Sequence, residues 1–305
     1  MGLLIVGSVA LDSVETPFDK IEDALGGSAT YISLAASYFT APIHLIGVVG
    51  DDFSKEYIEL LENHGIDLTG LQIIEGGKTF RWGGKYHYDL NMRDTLFTEL
   101  GVFETFDPQI PEKERNDRFV LLGNIHPSLQ LNVLSQVNDN AFTVCDTMNL
   151  WIETAREELD EVVKQVNVLI INDSEARLMT NESNLIIAAR KIMEMGPKYL
   201  IIKKGEHGAL LFGEDQVFSA PAYPLEHIFD PTGAGDSFAG GFMGYLHNTG
   251  DLSFENIKRA VIYGSAVASF CVGKFSVKGL EDLDMLQIKD RFREFKKLAL
   301  FNEGD

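Results

Sequence analysis

Asp230-Pro231-Thr232-Gly233-Ala234-Gly235-Asp236-Ser237-Phe238-Ala239-Gly240-Gly241 is the stretch on which the fold turns. Two glycines straddle an alanine, an aspartate follows at once, and Phe238, Phe242, Met243 and Leu246 then recur with the spacing of one helix face. The pattern predicts a tight loop feeding a helix. The first N–H groups of a helix have no intrahelical partner and the macrodipole adds partial positive charge there, so the loop suits an anion. Glycine lets the backbone approach that anion without a Cβ in the way. Asp236 is the odd member, because a carboxylate beside an anion site repels the ligand unless it performs chemistry. The chemistry that fits is taking a proton from a hydroxyl that attacks a phosphoryl group. The structural alternative is a capped helix with an acidic first turn.

Working outward, Leu3 to Leu11 is an apolar run stopped by Asp12 and reads as a central strand. Gly26-Gly27-Ser28 opens a helical segment over 29–39, followed by a strand over 43–49 and a helix over 53–64. This alternation predicts a parallel sheet covered by helices. Residues 71–103 break it with period-two alternation, placing Phe80, Trp82, Tyr86 and Tyr88 on one strand face and Arg81, Lys85 and His87 on the other. That segment reads as an inserted antiparallel lid whose aromatic face packs on a partner subunit or the main domain. Strands then resume near 119–123, 141–146, 166–172 and 198–203, with a hairpin over 209–212 and 216–219. Helices are expected from the glycine loop to about 247, over 253–270 and over 286–300.

Composition narrows the function classes. A formal charge of −20 over 305 residues repels phosphate at long range, which argues against nucleic acid or an anionic membrane as partner. An anionic small molecule then needs a local positive site. Cys145 and Cys271 sit in apolar surroundings without the short spacing of a zinc site or a disulfide framework, which points to a reducing, cytoplasmic compartment. The apolar start lacks a basic flank and reads as a strand rather than a signal peptide, and no run is long enough to span a membrane.

Known nucleotide motifs can be tested against the spacing. Gly77-Lys78-Thr79 ends like a P-loop, but Gln72 occupies the position of its first glycine. Gly233-x-Gly235-x-x-Phe238 approaches the dinucleotide fingerprint, but Phe238 replaces the third glycine and the motif comes late in the chain. The seven histidines form no metal-binding pair by spacing.

The Asp230-to-Gly241 stretch resembles the C-terminal signature of the ribokinase-like, or PfkB, family of small-molecule kinases. Gly7-Ser8-x-x-x-Asp12 and Gly26-Gly27 resemble that family's sugar-binding positions, Asp146-x-x-Asn149 a further family element, and Asn172-x-x-Glu175 its Asn-x-x-Glu motif. Gly205-Glu206-His207-Gly208 resembles its nucleotide loop, and the matches run in family order from residue 7 to 241.

The resemblance implies an α/β fold over 1–305: a three-layer α/β/α sandwich with a mostly parallel central sheet and a small β-sheet lid built from about 12–20 and 71–103. It also implies transfer of the γ-phosphoryl group of ATP to an alcohol. Asp236 would be the base, and the N–H groups of Gly233, Ala234 and Gly235 the anion hole. Asn172 and Glu175 would organise Mg²⁺, through water, while Asn172, Lys203, Gly205 and Gly208 hold the nucleotide. Asp12, Gly26, Gly27 and Tyr31 would contact the acceptor, and Asp230 and Thr232 would lie near a monovalent cation such as K⁺.

Tyr31 departs from the family, which usually has Asn four positions beyond the second glycine. The reading is a kinase of a sugar or sugar-containing small molecule. The alternative is a nucleoside kinase, its base stacking on Tyr31 or the lid aromatics. Arg81, Lys85 and His87 keep open an acceptor that already carries a phosphate. A non-catalytic nucleotide or sugar sensor is the rival of another class, and the lid is expected to mediate a homodimer.

Overall fold

The computed structural model describes residues 2–298 and 300. The strands are β1 (Leu3–Val6), β2 (Ala10–Glu15), β3 (Lys20–Gly26), β4 (Ile43–Gly50), β5 (Ile66–Asp67), β6 (Leu71–Ile74), β7 (Phe80–Tyr86), β8 (Arg93–Glu99), β9 (Phe119–Leu122), β10 (Phe142–Asp146), β11 (Val168–Asn172), β12 (Tyr199–Lys203), β13 (Ala209–Gly213) and β14 (Gln216–Ala220). Among the described residues they form two sheets. The larger runs β14-β13-β12-β11-β10-β9-β1-β4-β5, with β6 also paired to β4. From β12 to β5 and β6 every pairing is parallel, and β13 and β14 extend one edge as an antiparallel hairpin.

Period-two alternation divides each central strand between two cores. Leu3 and Ile5 of β1 point to one, Leu4 and Val6 to the other, and β12 divides Tyr199 and Ile201 from Leu200 and Ile202. The first core is closed by α1 (Ser28–Ser37) and α2 (Lys55–Asn63). The second is closed by α3 (Pro127–Gln136), α4 (Asn149–Thr154), α5 (Arg156–Gln165), α6 (Asp173–Thr180) and α7 (Leu185–Met193). The helices α8 (Ala234–Thr249), α9 (Phe254–Cys271), α10 (Lys278–Glu281) and α11 (Met285–Leu298) return to the first core. A strand covered on both faces has no polar side, which is why these strands read as unbroken apolar runs. The expected end of the last helix near 300 reaches residue 299, outside the described residues. No described helix is long and apolar enough to cross a membrane. Cys145 and Cys271 are free and buried.

The expected single strand from Leu3 to Leu11 is two strands in different sheets. Ser8 N–H donates to Ser28 Oγ (3.1 Å), Ser28 N–H to Ser8 Oγ (3.0 Å) and Ala29 N–H to Ser8 O (2.9 Å), so the chain turns over the start of α1. It leaves the main sheet after Val6 and enters the smaller one at Ala10. That smaller sheet has the order β3-β2-β7-β8, with β2 and β7 parallel and both outer pairs antiparallel. It draws on 10–26 and 80–99, while residues 71–74 belong to the main sheet.

Candidate active site

The cleft forms where the parallel strands end, β10 at Asp146, β11 at Asn172 and β12 at Lys203, beside the start of α8. Gly233 caps α8 in the left-handed conformation (φ 74°), which a side chain rarely adopts. A Cβ there would also stand 2.4 Å from the ring of Tyr31. Tyr31 is only 1% exposed and lies beneath the loop, so its ring supports Gly233 and offers no face for a base to stack on. Its hydroxyl is sealed from solvent and has no hydrogen-bond partner among the described residues.

The loop is fastened from behind. Asp230 accepts from Thr232 N–H (2.9 Å) and Ser276 N–H (3.1 Å), one bond to each carboxylate oxygen. Of the three N–H groups assigned to the anion hole, that of Ala234 donates to the Pro231 carbonyl (3.2 Å). Those of Gly233 and Gly235, together with Asp236 N–H, find no acceptor among the described residues and point an open helix start at the cleft. Asp236 itself is partly exposed, with its Oδ1 sealed from solvent and without a hydrogen-bond partner among the described residues. Crowding by protein and the neighbouring Asp146 push its carboxyl up to about 7, against the pull of Lys203 and Arg93.

Lys203 reaches under the loop, its Nζ 3.3 Å from Asp146 Oδ1. A Cβ on Gly235 would lie 2.7 Å from the same Nζ, so the glycine makes room for the ammonium. Burial opposes the charge, but Asp146, Glu175 and Asp236 hold the Lys203 pKa above its ordinary value. Asn172 and Glu175 form a capping box at the start of α6: Asn172 Oδ1 accepts from Glu175 N–H (2.8 Å) and Glu175 Oε2 from Asn172 N–H (2.7 Å). Glu175 Oε1 is the carboxylate oxygen left outside that box. Burial first, and then Asp146, push the Glu175 carboxyl up to about 7, against the pull of Lys203.

Asp12 lies at the entrance of the small sheet and is 6% exposed. A Cβ on Gly26 would fall 2.0 Å from Asp12 Oδ2, which is why the first glycine of the pair must be bare. Burial pushes the Asp12 carboxyl up to about 7; the Gly27 N–H pulls it down while Asp230 and Asp236 push it up.

The small sheet reaches across the cleft. Tyr86 of β7 is buried and its hydroxyl accepts from Thr232 Oγ1 (3.1 Å), joining the lid to the anion loop. Arg93, the first residue of β8, stands 5.1 Å over the Trp82 ring. Its charge lowers the pKa values of Asp12, Glu175 and Asp236 alike. Sequence reasoning missed Arg93, which belongs to no motif; the available signal was a single arginine just past the lid's turn. At that turn Asn91 Nδ2 donates to Glu206 Oε2 (2.8 Å), and Asn91 Oδ1 would stand 2.4 Å from a Cβ on Gly205 (φ 53°). The lid tip thus touches the loop expected to hold the nucleotide. Gly208 (φ 83°) has a structural requirement of its own, since a Cβ there would meet Ala220 O at 2.0 Å.

The basic face of β7 is neutralised within the chain. Arg81 pairs with Asp52 (3.0 Å) and Asp23 (3.3 Å), Lys85 with Glu15 (2.6 Å) and, just past the strand, His87 with Asp94 (3.0 Å). Tyr88 lies beyond the strand and is 88% exposed.

The model of the pfkB family carbohydrate kinases matches residues 9–282. The chain is 32% identical over 248 residues to the cytidine kinase of Thermococcus kodakarensis, covering 80% of this chain and 87% of that one. It is 28% identical over 289 residues to a nucleoside kinase of Methanothermobacter thermautotrophicus, covering 88% and 89% of the two chains. An Escherichia coli protein assigned as a ribokinase II, solved with ATP and Mg²⁺, shares the fold with a TM-score of 0.79 at 19% identity, over 96% of this chain and 99% of that one.

Proposed function

The chain belongs to the PfkB family of kinases, and from that premise we propose that it transfers the γ-phosphoryl group of ATP to a hydroxyl of a nucleoside. The observation that carries the acceptor class is the 32% identity to a cytidine kinase over most of both chains. The sequence alone reads as a kinase of a sugar or sugar-containing small molecule, with a nucleoside as the alternative; the cytidine and nucleoside kinases among the relatives support the nucleoside. A phosphorylated acceptor loses support, because Arg81, Lys85 and His87 already have carboxylate partners.

Asp12, buried against Gly26, accepts hydrogen bonds from ribose hydroxyls when ionised. Tyr86, buried against Thr232, closes the cleft against water, and Arg93 at the exposed rim brings positive charge to it. Asp236 takes the proton of the attacking hydroxyl as that oxygen bonds to the γ-phosphorus and the bond to the β-γ bridging oxygen breaks. The free N–H groups of Gly233, Gly235 and Asp236, with Lys203 beneath them, receive the charge on the transferred group. Loop 205–208 holds the nucleotide, with Asn91 of the lid touching it.

Glu175 and Asp146 are buried carboxylates that share Lys203 as a nearby cation, a donor set that fits Mg²⁺ held in part through water. Bound Mg²⁺ supplies neutralisation of the phosphate charge. Each Asp230 oxygen accepts one N–H bond, which leaves lone pairs that would help hold a monovalent cation near Asp230 and Thr232. A pure sensor gains nothing from the unpartnered Asp236 oxygen, whose burial costs stability. All seven residues of β8, the edge strand of the small sheet, are exposed, Leu96 and Phe97 among them; two copies pair through this edge.

The test is ADP release with Mg²⁺-ATP against nucleosides, free sugars and sugar phosphates. A nucleoside should give the highest kcat/KM by at least tenfold. A free sugar or sugar phosphate in that place overturns the acceptor assignment, and no stimulation by any alcohol overturns the kinase reading for this chain.

A further inference from the structure

At the opposite edge of the main sheet, where the parallel strands begin, three ligating side chains converge. His44 is the second residue of β4 and pairs in register with Asp67 of β5; Glu114 comes from a short 3₁₀ turn that precedes β9. One ligand atom from each of the three lies within 4.8 Å of the others. Four- to eight-residue strands at about 3.3 Å per residue separate this edge from the catalytic edge by roughly 13–26 Å.

The cluster is incomplete as a purely protein arrangement. Glu114 is 7% exposed, yet its Oε2 is sealed from solvent with no hydrogen-bond partner among the described residues. A buried unpaired carboxylate oxygen is costly, and it calls for a cation. Burial pushes the Glu114 carboxyl above its ordinary range; His44 pulls it down, and Asp67 and Asp117 push it further up.

The surroundings are those of a ligand set. His44 Nδ1 is paired with Asp117 Oδ2 (2.5 Å), and Asp117 Oδ1 accepts from Gly2 N–H (2.7 Å). A carboxylate that fixes one imidazole nitrogen leaves Nε2 as the ligating atom and raises its basicity. Asp67 Oδ1 accepts from Thr69 N–H (2.8 Å), leaving Oδ2 available. Asp67 is partly exposed and lines a shallow surface hollow, which gives an entry path.

We propose that His44, Asp67 and Glu114 bind a first-row divalent cation of the Zn²⁺ type, clamping β4, β5 and the entry to β9 at the end of the molecule away from the reaction. One imidazole with two carboxylates and a water suits such an ion better than Ca²⁺ or Mg²⁺, which prefer all-oxygen shells.

The probe is ZnCl₂ titrated calorimetrically into chelator-stripped, ATP-free protein, comparing the native chain with Glu114→Gln and His44→Gln. The native chain should take up one more equivalent than either variant and gain a few degrees in Tm with zinc that the variants do not. Co²⁺ in its place should give the visible absorption of a four-coordinate N/O site in the native chain alone. Both variants should keep ADP release with Mg²⁺-ATP within about twofold. Equal uptake and equal Tm shifts in native and variant chains overturn the site, leaving a protonated His44 among carboxylates. If either buried substitution prevents folding, Asp67→Asn at the partly exposed ligand makes the same comparison.

Discussion

Thr232 of the anion loop donates a 3.1 Å hydrogen bond to the hydroxyl of Tyr86, a residue of the small sheet 146 positions earlier in the chain. This buried contact ties the position of the lid to the loop proposed to receive phosphoryl charge. Tyr86→Phe removes the acceptor while preserving the ring. A buried neutral hydrogen bond is worth about 0.5–1.5 kcal/mol, so kcat/KM for the acceptor should fall roughly 2- to 10-fold. Steady-state kinetics check this; an unchanged kcat/KM means the lid and loop are not coupled through this bond.

Two alanine substitutions two positions apart should fail differently. Gly235→Ala places a Cβ 2.7 Å from Lys203 Nζ, the flexible end of a side chain, so the fold survives while the ammonium is displaced. Activity should drop by about 10- to 100-fold with Tm nearly unchanged. Gly233→Ala adds a Cβ at φ 74° and 2.4 Å from the Tyr31 ring, so Tm itself should fall by several degrees. Thermal unfolding and turnover of the two variants, side by side, separate the cases.

Arg93 is the lid cation whose charge reaches Asp12, Glu175 and Asp236. Arg93→Ala should lower kcat by about tenfold or more with a smaller change in the KM for ATP. Because Arg93 lowers the pKa of Asp236, the variant's pH profile should also move to higher pH. A pure loss of ATP affinity would instead place Arg93 on the nucleotide.

The free enzyme should be pH-sensitive near neutrality. Asp12, Glu175 and Asp236 all have carboxyl groups raised to about 7 by burial. A general base must be ionised, so kcat/KM should rise with pH through about 7. Stability runs the other way. A carboxyl whose folded pKa exceeds its unfolded value of 3.8 binds more protons when folded, so stability falls as pH rises from about 4 to about 7 and stays low above it. Asp236→Asn should therefore raise Tm at pH 8, and the gain should shrink toward pH 4. Calorimetric unfolding across that range is the check.

Much of this architecture is legible in the sequence because it is written locally. The parallel strands are buried on both faces and so appear as unbroken apolar runs, and the loop at Asp230 to Asp236 carries its glycines and aspartate in one stretch. What is not legible depends on contacts between distant segments. The apolar run from Leu3 splits because Ser8 and Ser28 bond to each other, which neither residue announces. Tyr31 occupies the position of a polar family residue, but the packing of α1 beneath Gly233 turns it into the core. Arg93 enters the site only because β8 folds back on β7, and no spacing rule links it to Asp236.

The most direct measurement is turnover of Asp236→Asn with Mg²⁺-ATP and the best nucleoside acceptor, alongside its affinity for ATP. The substitution preserves shape and removes the base. Turnover should fall by about 10²- to 10⁴-fold with ATP affinity within a few fold of the native chain. Turnover within tenfold of native would contradict the assignment of Asp236 as the base and, with it, the mechanism built around the loop.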